Sequence, residues 1–380
     1  MELNIGIAGV GNFARFAAKA FLQIPGVNII AITDRDEAVV KQIAGEWKVT
    51  GYVNFDSFLD DRRIELVYIA TPPWLHYPQA RKALLKGKHV ICEKPAALET
   101  NDAVELALLA ESLNLLWVVN LMQRYNPMFD IVKKIVDEKI AGDFLHGFFE
   151  NYASDENLGS THWFWDESKS GSIFIEHGVH FFDMFAGWLG EGKLLYACQL
   201  LRAEQEKNII DRVQATVLYD YGIVNFYHGF DQPKILDRQE MRLQFEHGEI
   251  TLYEWVPVKM RLHGLLKKEQ MKRLHEIMGD FSIVSEHIAT DHQIVRGRSQ
   301  EIIFDTHITL EYTDPLGKDK RYEHLLIDML QDQWNWIKDR THKRVIDECN
   351  AVNSLRIAEL ANENAKNYNP KNEQSYQHHA

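Results

Sequence analysis

The sequence predicts an α/β fold over residues 1–122 and an α+β region with a mostly antiparallel sheet over residues 123–380, and three observations predict it. Short apolar runs alternate with helical periodicity from Leu3 to Val119, the pattern of parallel strands covered on both faces by crossover helices. A glycine turn, Gly9-Val10-Gly11-Asn12-Phe13-Ala14, follows the first apolar run and opens a helix. From about Leu194 to Leu310 the period changes to alternation, as in Val213-Gln214-Ala215-Thr216-Val217-Leu218-Tyr219, which suits strands covered on one face.

Composition narrows the function classes. At 380 residues, 46% hydrophobic and 26% charged, the chain can bury two cores. Forty-two Lys plus Arg against 55 Asp plus Glu leave a net charge of -13, which argues against nucleic acid or an anionic membrane as the main partner. Cys92, Cys198 and Cys349 match no zinc or redox spacing, so neither a metal nor a disulfide framework is expected. Met1-Glu2-Leu3-Asn4 lacks a basic leader segment, and no apolar run approaches the roughly eighteen residues of a membrane span. The expected location is the cytoplasm.

Each element of the first domain follows in order. Leu3 to Ala8 reads as a buried strand. In the G-x-G-x-x-A turn, Gly9 makes the bend, Gly11 lets backbone approach a pyrophosphate, and Ala14 lets the helix pack on its strand; the helix N-terminus is an anion site. Val27 to Thr33 is the next strand. It ends in Asp34, a carboxylate suited to the adenosine ribose hydroxyls of NAD, beside Arg35, which keeps NADP as the alternative. A helix near Glu37 to Trp47 and a polar connection lead to a third strand, Leu66 to Ala70. Thr71-Pro72-Pro73 then makes a stiff corner that can hold Thr71 and His76 over a dinucleotide, although a lone histidine is more often a packing group. After a helix from Tyr77 to Lys86, capped by Gly87, the strand Val90-Ile91-Cys92 ends in Glu93-Lys94-Pro95. Ligands of open α/β sheets bind outside the carboxyl ends of the strands, so Glu93 and Lys94 are candidates for chemistry. A helix, Asn101 to Ser112, and a strand, Leu115 to Val119, complete the domain.

Three pieces, Gly6 to Ala14, Ala70-Thr71-Pro72-Pro73 with His76, and Ala83 to Pro95, together resemble the Gfo/Idh/MocA oxidoreductase family (glucose–fructose oxidoreductase, inositol dehydrogenase, rhizopine catabolism). The resemblance implies a Rossmann domain in which Glu93 contacts the nicotinamide-side ribose and Lys94 acts at the substrate hydroxyl. It also implies a second, α+β domain whose open sheet forms a homodimer or homotetramer. Arg124, Tyr125 and Pro127 resemble the family's Arg-aromatic-x-Pro segment at the domain junction, and Arg124, with Asp183 of the second domain, is expected to contact the substrate.

In the second domain, Gly171 to Asp183 is the informative stretch. Helical spacing puts Glu176, His180 and Asp183 on one face, where a carboxylate one turn from an imidazole would orient it and raise its pKa. This resembles the family's Asp-x-Gly-x-His-x-x-Asp segment, with Glu176 in the first Asp position. Upstream, Trp163 and Trp165 are either packing anchors or faces for stacking a sugar ring. Asp220-Tyr221-Gly222 and Glu246-His247-Gly248-Glu249 read as hairpin turns, Gly264 to Met278 as a basic helical stretch, and Leu325 to Asp339 and Ala351 to Ala365 as closing helices. Residues 367–380 are polar, aperiodic and expected to be disordered.

The expected activity is hydride transfer between NAD(P) and a CH–OH group of a sugar, cyclitol or related polyol, with Lys94 and His180 handling the hydroxyl proton and Glu176 assisting. The rival readings are an NAD-dependent glycosidase with no net redox change and a nucleotide-sensing regulator.

Overall fold

The computed structural model describes residues 2–202, 208–297 and 300–367. The chain divides into two compact units. The first comprises Met1–Tyr125, Thr161–Asp183 and Tyr322–Glu359; the second comprises Asn126–Ser160, Met184–Arg321 and the end of the chain from Leu360.

The first unit holds a six-stranded parallel sheet of β1 (Leu3–Ala8), β2 (Val27–Thr33), β3 (Thr50–Tyr52), β4 (Leu66–Ile69), β5 (His89–Cys92) and β6 (Trp117–Val119), in the order β3-β2-β1-β4-β5-β6. This is the dinucleotide-binding order, whose switch point lies between β1 and β4. Ile5, Ile7, Val67, Ile69, Val90 and Ile91 are all fully buried. Burying each such side chain contributes about 1.5–3 kcal/mol. β3 and the short helix Phe55–Leu59 lie in the connection expected to be only polar, so Leu66–Ile69 is the fourth strand rather than the third. Three residues are too few for a periodicity to emerge.

The second unit holds nine strands: β7 (Phe144–Tyr152), β8 (Lys193–Arg202), β9 (Ile209–Tyr219), β10 (Gly222–Gly229), β11 (Arg238–Phe245), β12 (Gly248–Tyr253), β13 (Lys259–Leu266), β14 (Ser282–Gly297) and β15 (Gln300–Thr313), in the order β14-β15-β13-β12-β11-β7-β10-β9-β8. All neighbours are antiparallel except β7 and β10. Val213, Ala215 and Val217 point into the core, and Gln214, Thr216 and Leu218 lie on the other face. The basic helix starts at Lys268, not Gly264, because residues 264–266 complete β13 by pairing with β15. The closing helices run Gly317–Lys338 and Glu348–Asn367, so of the expected tail Asn367 is helical and 368–380 lies outside the described residues. Among the described residues no helix is long and apolar enough to cross a membrane.

Candidate active site

The site is built on the carboxyl ends of β1, β2, β4, β5 and β6. Where β1 ends, Gly9 has φ +82, and a Cβ there would sit 2.8 Å from the Ala70 carbonyl oxygen, so only glycine makes this turn against β4. The Gly9 N–H donates to the Thr33 carbonyl at 2.8 Å, tying the turn to β2. Gly11 caps the helix Asn12–Phe21, and a Cβ on it would meet nothing within 4 Å. No side chain caps this helix and its first turn holds no acid, so its leading N–H groups suit a phosphate. Asn12 is exposed in that turn, and Ala14 is buried. Phe13 packs against Tyr322, with ring centroids 6.1 Å apart. Asp34 accepts from Val10 N–H at 3.1 Å and from Asp36 N–H at 3.2 Å, which aims its carboxylate at the glycine turn; Arg35 is exposed. These features fit a dinucleotide.

His76 is buried between two carbonyls, with Nδ1 2.7 Å from Pro95 O and Nε2 2.6 Å from Thr71 O. It therefore joins the exits of β4 and β5. Burial pushes its pKa down, and a neutral ring donates to only one of the two carbonyls. Thr71 donates through Oγ1 to Gln79 Oε1 at 2.6 Å. Pro72, extended at ψ 151, caps the single turn Pro73–Leu75.

At the end of β5, Glu93 Oε1 accepts from the Tyr68 hydroxyl and from Asn120 Nδ2, the latter at 2.8 Å. Burial, foremost, raises the Glu93 pKa against these two hydrogen bonds. Tyr68 and Asn120 escaped the sequence reading. The usable signal was a phenol in an otherwise aliphatic buried strand, since a buried Tyr hydroxyl needs a partner.

Lys94, joined to Pro95 by a cis peptide bond, donates to Glu176 Oε1 at 2.5 Å and to the Glu176 carbonyl at 2.9 Å. The two side chains are only 19% and 13% exposed. Phe174–Gly178 is wound as a π-turn ahead of the α-helix Val179–Leu189, so the regular spacing behind the expected convergence does not hold. Glu176 turns to Lys94. Asp183 instead accepts from Arg124 Nε at 2.7 Å, Arg124 Nη2 at 2.9 Å and Asn350 Nδ2 at 3.1 Å, a buried structural pair. His180 is buried and its pKa is pushed down to about 3, first by burial and then by the Lys94 charge, the reverse of the rise expected from a neighbouring carboxylate. Trp165 is buried as a packing anchor, while half-buried Trp163 meets Trp74 of the proline corner edge-on, with centroids 5.9 Å apart.

Residues 3–121 match the model of an oxidoreductase family with an NAD-binding Rossmann fold. The chain is 36% identical over 141 residues to the uncharacterized oxidoreductase C115.03 of Schizosaccharomyces pombe, covering 37% of this chain and 38% of that protein. It is 30% identical over 142 residues to dTDP-3,4-didehydro-2,6-dideoxy-alpha-D-glucose 3-reductase of Streptomyces violaceoruber, covering 37% and 42%. The chain thus spans less than half the length of these two relatives. Across 97% of this chain and 98% of the other, the fold is similar to levoglucosan dehydrogenase in complex with NADH and levoglucosan, with TM-score 0.74 and 17% identity, a likeness of fold alone. With the cradle at Gly9 and Gly11 and the Glu93-Lys94-Pro95 strand end, the match gives residues 3–121 the NAD-binding Rossmann fold of the Gfo/Idh/MocA oxidoreductase family.

Proposed function

We propose that the chain is an NAD-dependent dehydrogenase acting on a CH–OH group of a sugar, cyclitol or related polyol. The observation that carries this reading is the Lys94 ammonium held by Glu176 at the carboxyl end of β5, beside Glu93. A bound nicotinamide would supply the hydride acceptor or donor. Gly9, Gly11 and the first turn of the helix Asn12–Phe21 would hold its pyrophosphate, Asp34 the adenosine ribose and Glu93 the other ribose. Two of the three Lys94 ammonium protons point to Glu176, and the third is available to the substrate oxygen. Lys94 with Glu176 then holds or takes the hydroxyl proton as charge develops on that oxygen. His180, neutral at physiological pH, is suited to orienting the hydroxyl and not to storing its proton. Sugars named for the similar proteins support the substrate class, and Trp163 at the proline corner suits an apolar ring face. The second domain's sheet, with Leu218 and Ile223 exposed on its outer face, is the proposed surface for a homodimer or homotetramer.

The test is absorbance of reduced nicotinamide with NAD or NADP across polyols, aldoses and inositols, with Lys94→Ala as control. A rise that depends on one substrate class and on Lys94 supports the reading. Sugar release without net reduction would replace it with the glycosidase, and cofactor binding without turnover on any substrate would replace it with the sensor.

A further inference from the structure

The glycine cradle has one cation beside it that no element of the site yet uses. Arg15 is the fourth residue of the helix Asn12–Phe21, where side chains lean back toward the helix N-terminus. Its Nε donates to the Val10 carbonyl at 2.9 Å, inside the turn between Gly9 and Gly11, and the residue is half-buried. The Val10 N–H in turn donates to Asp34 Oδ2 at 3.1 Å. One residue of the turn is therefore held by a base through its oxygen and by an acid through its nitrogen.

Those two charges do not pair with each other. Asp34 turns its other oxygen to the Asp36 N–H at 3.2 Å, and among the described residues Arg15 forms no ion pair. A guanidinium has five N–H donors, so the Nε bond leaves the four on the two Nη atoms unspent. Their planar fork matches the oxygens of a phosphate. The Nε bond also fixes the side chain at the turn in advance, which lowers the cost of ordering it around a ligand.

We propose that Arg15 is a further cofactor-binding residue, whose Nη groups donate to phosphate oxygens of a bound dinucleotide. This rests on the dehydrogenase reading as far as dinucleotide binding and on no turnover. The phosphate is either the pyrophosphate at the helix N-terminus or the 2′-phosphate of NADP beside Asp34, and the chemistry of recognition is the same for both.

The experiment follows the fluorescence of NADH and of NADPH on binding to the full-length chain and to Arg15→Gln, at low and high salt, with adenosine as a phosphate-free competitor. Glutamine keeps an N–H donor for the Val10 carbonyl and removes the charge. Loss of a charged hydrogen bond should weaken binding about tenfold at low ionic strength and less as salt is added, while competition by adenosine stays at the parent's level. An equal loss for the two cofactors assigns Arg15 to the pyrophosphate, and a loss confined to NADPH assigns it to the 2′-phosphate. The proposal is overturned if Arg15→Gln binds both cofactors as tightly as the parent, or if adenosine weakens by the same factor as they do, which would make Arg15 only a brace for the turn. A parent chain that binds neither cofactor would overturn the dehydrogenase reading and this proposal with it.

Discussion

Lys94 and Glu176 are 82 residues apart in the chain and meet at 2.5 Å, with the same ammonium also bonded to the Glu176 carbonyl. A strand end and a π-turn thereby hold one cation against one carboxylate, both largely shielded from water. Charge-assisted hydrogen bonds of this kind orient the partners as well as stabilising them.

Replacing Lys94 by Ala should lower kcat by about a hundred- to ten-thousand-fold while leaving dinucleotide affinity near that of the parent. Glu176→Gln, which keeps the shape and removes the charge, should lower kcat less and change its pH profile. Steady-state rates with fluorescence titration of NAD measure both, and near-normal turnover of Lys94→Ala would remove the lysine from the reaction.

Tyr68→Phe removes only the hydroxyl that reaches Glu93. A hydrogen bond to a charged group is worth about 1.5–3 kcal/mol, so NAD should bind about tenfold or more weakly, with kcat less affected. An unchanged dissociation constant would show that Asn120 alone is enough to position Glu93.

Arg124 and Asp183 were candidates for substrate contact, but Asp183 is 2% exposed and doubly bonded to the guanidinium. Arg124→Ala leaves a buried carboxylate without its cation and should destabilise the fold by about 3–5 kcal/mol. Denaturant unfolding measures the loss. A variant that unfolds like the parent and has only a raised KM would return the pair to the substrate.

Burial pushes the pKa of His180 and of His228 down to about 3. In the unfolded chain both titrate near 6.5, so the unfolded state binds more protons as pH falls below that value. The stability from keeping these rings neutral is complete above about 6.5 and drains away toward pH 3, by at most about 1.4 kcal/mol per pH unit for each ring. Urea unfolding at a series of pH values should follow this slope, and His228→Phe should flatten it. Stability that rises between pH 6.5 and 4 would contradict both shifts.

The parts of the site that lie at strand ends were legible in the sequence. Gly9, Gly11, Asp34, Glu93 and Lys94 sit beside apolar runs that mark their own strands, and Gly9 now has the positive φ and close contact that exclude a Cβ. The partners of those residues were harder to read. Tyr68 reads as one more apolar strand residue, and His76, which the sequence leaves as either a group over the cofactor or a packing group, faces the Thr71 and Pro95 carbonyls with its two nitrogens.

The α/β order, the glycine turn after β1 and the charged end of β5 are readable from sequence, because period, turn chemistry and helix caps are local and act over a few residues. Packing sets which carboxylate Lys94 meets, pairs Asp183 with Arg124 and keeps His180 neutral. A π-turn shifts side chains off the regular helical spacing, and ion pairing and desolvation depend on what packing brings near, which no periodicity records.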